Sequence, residues 1–116
     1  MKIRIKGNSL RYRLTRTDVQ TFITNGLVEE QINFGDTILT YALRQTENNE
    51  LSATYEDNKI TLFMPYMMVL EWNDLNTVGF GQDIDGLYLL VEKDFACLDN
   101  VGEDQSDNYP NPSAGK

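Results

Sequence analysis

The N-terminal stretch alternates apolar and polar residues. Ile3 and Ile5 are interleaved with Lys2, Arg4 and Lys6, and Leu10, Tyr12 and Leu14 with Arg11 and Arg13, the two runs separated by Gly7-Asn8-Ser9. Side chains of a strand point to opposite faces in turn, so this pattern predicts a β-hairpin with one apolar face. Thr15 followed three residues on by Asp18 resembles a capping box, and Val19, Phe22 and Ile23 then give helical spacing up to Asn25-Gly26. Val28 to Phe34 and Ile38 to Leu43, on either side of Gly35-Asp36, read as a second pair of strands.

The same order returns in the second half. Leu51, Ala53 and Tyr55 alternate toward a turn at Asp57-Asn58, and Ile60, Leu62 and Met64 alternate away from it. Pro65 stands where a helix takes its first residue, with Tyr66 to Asn73 as that helix. Val78 to Gln82 and Leu87 to Glu92 follow as strands around Asp85-Gly86. A shift of fifty positions aligns Asn8 with Asn58, Leu14 with Met64, Thr15 with Pro65, Val19 with Val69, Phe22 with Trp72 and Val28 with Val78. Few residues are identical across the shift, so the repeat rests on co-registered turns, helix starts and apolar phase. The alternative is an α+β meander whose halves merely use similar elements.

These elements predict an α+β fold with mostly antiparallel strands. Two short helices are too little to cover a large open sheet, so a small β-barrel from two tandem β-α-β-β units, residues 1–45 and 51–95, is the expected way to hide strand edges. Residues 1–98 would form one domain, with 99–116 as an acidic C-terminal tail. Met64, Met67, Met68 and Trp72 are expected to fill the core around the second helix.

Composition narrows the chemistry. The 116 residues contain no histidine, which removes Ser-His-Asp and Cys-His catalysis and most zinc sites. No catalytic residue, metal ligand or cofactor motif is identified, and the chain is not expected to be an enzyme. One cysteine, Cys97, permits no intrachain disulfide and suits a reducing cytoplasm. Its neighbours Asp94 and Asp99 disfavour a thiolate, so a buried structural cysteine is expected. The charged, alternating N-terminus is unlike a signal peptide, and no apolar run approaches membrane-spanning length.

The net charge of −8 is unevenly placed. Lys2, Arg4, Lys6, Arg11, Arg13 and Arg16 stand in the first sixteen residues with no acid among them, whereas Asp99, Glu103, Asp104 and Asp107 crowd the tail. Arg4, Lys6, Arg11, Arg13 and Arg16 are therefore candidate binding residues, for nucleic acid or for the protein's own acids. The fifty-residue shift carries Lys2, Arg4, Lys6, Arg11 and Arg13 onto Ser52, Thr54, Glu56, Thr61 and Phe63, so no second basic patch exists and DNA or RNA binding is disfavoured. The tail acids lack the spacing of a calcium loop. Tyr109, in the proline-stiffened Tyr109-Pro110-Asn111-Pro112, is expected to anchor the tail on the domain, with the acids near the basic hairpin.

Two resemblances follow from these residues. The stretch KIRIKGNSLRYRLTRTDVQTF, a hairpin turning at Gly-Asn and then a short helix, resembles the AbrB and MazE type of swapped-hairpin barrel over residues 1–45 and, more weakly, 51–95. That resemblance implies two interlocked units, here a fused pseudo-dimer, and a nucleic-acid-binding regulator as the alternative function. The start MKIRIKGNSLRYRLT, the segment LVEKDFACLD and the ending GEDQSDNYPNP are similar to an uncharacterised family of small bacterial proteins common in Bacteroidetes. It implies a cytoplasmic protein with no assigned activity. By elimination the leading expectation is a non-enzymatic accessory or protein-interaction module whose partner is another protein.

Overall fold

The computed structural model describes residues 1–74, 76–95 and 106–110. Strand β1 (Lys2–Ile5) turns into β2 (Ser9–Leu14), helix α1 (Arg16–Asn25) follows, and β3 (Leu27–Asn33) pairs with β4 (Ile38–Thr46). The second half runs β5 (Ser52–Glu56), β6 (Lys59–Pro65), α2 (Tyr66–Trp72), β7 (Gly79–Ile84) and β8 (Leu87–Lys93). Thr15 caps α1 as expected: its side chain accepts from the Asp18 amide while Asp18 returns a bond to the Thr15 amide. Gly26 ends the helix at φ 73°, a left-handed conformation that glycine adopts without a Cβ clash. Pro65 differs from expectation. It closes β6 and stands at the N-cap of α2 with no capping side chain, one position before the first helical residue.

Each hairpin is antiparallel, but they do not assemble as a barrel. Two open four-stranded sheets form, with orders β1-β2-β8-β7 and β3-β4-β6-β5. Both are mixed, because β2 runs parallel to β8 and β4 parallel to β6. The expected mostly antiparallel barrel is thus corrected to two open mixed sheets. Among the described residues β1, β7, β3 and β5 are the edge strands, and each sheet buries one face against the other sheet and the helices.

Each sheet joins a hairpin from one half of the chain to a hairpin from the other. Adding four to every strand number of the first sheet, and counting round from eight to one, yields the second sheet read backwards. The antiparallel registers also coincide on the fifty-residue shift: Lys2 faces Arg13 as Ser52 faces Phe63, and Gln31 faces Thr40 as Gly81 faces Leu90. The parallel joints depart from this. Leu10 stands opposite Leu89, whereas the pairing of Ile60 with Tyr41 would place it opposite Val91. A slide of two residues preserves which face each side chain takes.

One apolar cluster fills the space between the sheets, including Leu10, Tyr12, Leu14, Val28, Leu43, Leu62, Met64, Leu89 and Val91. Val19 and Phe22 of α1 and Val69 and Trp72 of α2 close it. Phe22 and Trp72, equivalent on the shift, meet edge to face with centroids 6.5 Å apart. The Trp72 indole donates to the Val78 carbonyl at 2.9 Å, and the Tyr12 hydroxyl donates to the Ile60 carbonyl at 3.3 Å. Burial pushes the Tyr12 phenol well up from its ordinary value, so it stays neutral and a donor. The Met1 ammonium is held by Asp18 at 2.7 Å and by Glu30, tying β1 to α1 and β3.

Candidate functional site

The six residues singled out for binding fall in two places. On the outer face of β1 and β2, Arg4 stands opposite Arg11 and Lys2 opposite Arg13. Such like-charge pairs repel unless an acid lies near, and β8 supplies it. Arg13 faces Glu92 in the parallel register, and one Glu92 carboxylate oxygen accepts from Arg11 Nε at 2.7 Å and from Arg13 Nε at 2.8 Å. The Lys2 ammonium lies 3.0 Å from Asp94 Oδ2 in an ion pair. Arg4, Lys6 and Arg11 border, with Tyr88 and Leu90, a depression of about 270 Å³. Lys2, Arg11 and Arg13 are therefore answered by the domain's own acids.

Arg16 lies elsewhere, at the start of α1, where the chain returns as residues 106–110. The Arg16 amide donates to the Asp107 carbonyl at 3.0 Å, and the Thr17 amide and hydroxyl donate to Asp107 Oδ1 at 3.3 and 2.9 Å. Asp107 thus answers the unpaired amides of the first helical turn, where a negative charge is favoured. Hydrogen bonds from Thr15 and Thr17 hold its carboxyl below the usual value. Tyr109 docks beside it. Its amide donates to the Asp94 carbonyl at 2.8 Å, its ring lies 6.0 Å from that of Phe95, and the Lys93 ammonium sits 5.1 Å from the ring centroid. Lys93 is itself buried and donates to the Asp74 carbonyl at 3.0 Å; burial lowers its pKa, against the pull of Asp74.

The expected tail contact is therefore found at Tyr109, but its acid partner differs. Asp107 meets backbone and hydroxyl donors of α1 in place of the β1–β2 cations, because helix-end amides are a better aligned donor set than flexible arginines already held by Glu92. Asp99, Glu103, Asp104 and Cys97 lie outside the described residues.

The third surface was missed by the sequence. Tyr66, Met67 and Leu70 of α2 are 46%, 67% and 52% exposed. Of the four residues expected in the core around α2, Met64 and Trp72 are buried and Met68 packs against the cluster, but Met67 points to solvent. The shift equates Tyr66, Met67 and Leu70 with Arg16, Thr17 and Gln20 of α1, all polar. A helix apolar on every side reads as buried from sequence; comparing the two helices position by position is the signal that would have exposed the difference. Tyr66 and Met67 of this stripe, with Pro65, Met68, Glu47, Asn48, Asn49 and Glu71, line a groove of about 390 Å³ that Leu70 adjoins in sequence.

Among the described residues no group of three acids, cysteines or histidines could hold a metal ion, and no helix is long and apolar enough to cross a membrane. No curated protein and no solved structure matches the chain. A match over residues 1–113 establishes that the chain belongs to DUF7009, a family of unknown function.

Proposed function

We propose that this protein is a non-enzymatic protein-interaction module, built from two interlocked copies of one β-α-β-β unit, that docks its partner on the solvent face of α2. The observation that carries the reading is the stripe of Tyr66, Met67 and Leu70, exposed where the equivalent helix has Arg16, Thr17 and Gln20. Aromatic and methionine side chains are the common anchors of adaptable interfaces. Glu47 and Glu71 rim the groove, so the partner segment carries apolar anchors with basic flanks. The coincident strand orders and antiparallel registers support the duplicated unit. A single cysteine suits work in a reducing cytoplasm.

A nucleic-acid contact through the β1–β2 face has less support, since Glu92 and Asp94 already answer Arg11, Arg13 and Lys2. The test is site-specific photocrosslinking in cells. A photoreactive side chain at Leu70 is expected to give one discrete adduct that Glu71→Lys weakens, and the same group at Gln20 none. Equal adducts at both positions, or none at Leu70, would refute the interface. An adduct at twice the chain mass would make the partner a second copy.

A further inference from the structure

At the end of the sandwich that carries the β1–β2 and β5–β6 turns, the core does not close. A cleft of about 580 Å³ opens there, walled by Ile5, Leu10, Leu39, Ala53, Ile60 and Leu87. It lies between the sheets and draws on both halves of the chain in matched pairs. Ile5 and Tyr55 are equivalent on the fifty-residue shift, as are Leu10 and Ile60. Leu39 and Leu87 are not, yet they lie level. The two-residue slide of the parallel joints brings Tyr88 to donate to the Asn8 carbonyl as Thr40 donates to that of Asn58, so the preceding leucines stand on opposite walls at the same depth.

Ile5 and Tyr55 form the two lips and are 63% and 67% exposed, which is a cost the fold does not need. Leaving a large apolar side chain in water forgoes the free energy of its burial. The volume falls within the range of roughly 300–1,000 Å³ found for small-molecule sites. Its chemistry is selective: among the described residues no charged side chain lines it, in a chain of which 24% is charged. The amide of Asn8 is already given to the Gly86 carbonyl and the hydroxyl of Ser9 to the Lys6 carbonyl. The Tyr55 hydroxyl, on the strand face that Ala53 also takes, remains at the wall with no such bond among the described residues.

We infer that this cleft is a binding site for an uncharged, largely apolar small molecule, with the Tyr55 hydroxyl as its polar contact. The site is independent of the α2 surface, so either can fail alone. The probe is N-phenyl-1-naphthylamine, a neutral arylamine whose fluorescence rises in apolar surroundings, titrated into the full chain while sedimentation reports the number of copies. Saturable binding of one probe per monomer is expected. Ile5→Asp places a charge on an exposed lip without touching the buried core, and Ala53→Phe fills the cleft; each should weaken binding at least about tenfold, given the cost of desolvating a carboxylate and of removing the cavity. Met67→Asp on α2 should leave it unchanged, with circular dichroism as the check that all three variants fold. Absence of saturable binding, binding insensitive to both cleft variants, or a dimer that both variants dissociate would overturn the assignment, the last by showing a second copy seated in the cleft.

Discussion

Removing the Tyr109 ring tests whether residues 106–110 belong to the folded unit. Tyr109→Ala keeps the backbone bond from the Tyr109 amide to Asp94 but deletes the ring that meets Phe95 and Lys93. Withdrawing a half-buried ring costs about 1 kcal/mol. The tilted pair with Phe95 adds about 0.5 kcal/mol and the Lys93 cation a similar amount, so the loss is about 2 kcal/mol. For a domain of this size that corresponds to a fall in melting temperature of about 8 °C. Tyr109→Phe should be close to neutral, because among the described residues no hydrogen bond is made by the hydroxyl. Urea unfolding of both variants gives the free energies, with an unchanged slope as the check that the native state is intact. If Tyr109→Ala melts with the parent protein, the segment contributes nothing and the docking geometry has no energetic weight.

Asp107 has its carboxyl pKa lowered from 3.8 by Thr15 and Thr17, so its contribution is present above that value and lost as pH falls through the folded pKa; Asp107→Asn should flatten the acid limb of a stability–pH curve. The Met1 ammonium behaves oppositely. Burial lowers its pKa, but Asp18 and Glu30 outweigh that and raise it above 8.0, so its stabilisation is complete below pH 8 and lost as pH rises through the folded pKa; Glu30→Gln should reduce the alkaline loss seen in urea titrations at pH 7 and 9.5. Trp72→Phe empties part of the core and removes the indole bond to the Val78 carbonyl, which keeps the Lys93 amide as a donor, a loss of about 1–2 kcal/mol by denaturant titration. Glu92→Gln leaves Arg11 and Arg13 without their shared carboxylate and should lengthen retention on heparin at low salt; unchanged retention would show that the pair did not mask the basic face.

What the sequence made legible was local. The Gly7-Asn8 and Asp57-Asn58 turns, the Thr15 cap and the strand alternation each lie within a few residues, and all appear in the structure. The parallel joints left no such trace. Ser9 pairs with Tyr88 across most of the chain, and nothing in either strand's alternation distinguishes a parallel neighbour from an antiparallel one. The barrel follows from the need to hide edges, whereas the two open sheets keep β1, β7, β3 and β5 as edges and bury a face each. Of the candidate residues, Tyr109 was legible because proline stiffening and an isolated aromatic ring are visible locally. The opposition of Glu92 to Arg11 and Arg13 was not, because it depends on the β2–β8 register. Gly79 and Gly81 carry a similar lesson. A Cβ at Gly81 would lie 2.5 Å from the Tyr88 hydroxyl, so the ring of β8 lies across a position that looks empty in sequence.

The exchange of hairpins between the sheets bears on how the chain is made. When the ribosome has released only residues 1–50, all four strands of the first half exist, yet β2 and β4 each wait for a parallel neighbour that has not been synthesised. The nascent half therefore exposes two inner strand edges together with the apolar face of Leu10, Tyr12, Leu14 and Leu43 until β6 and then β8 arrive. The sheet β3-β4-β6-β5 can be completed once β6 emerges, but β1-β2-β8-β7 waits until β8 has been made, so the two sheets of the sandwich are completed in sequence, and two such halves on neighbouring ribosomes present each other with the same pair of unfilled places.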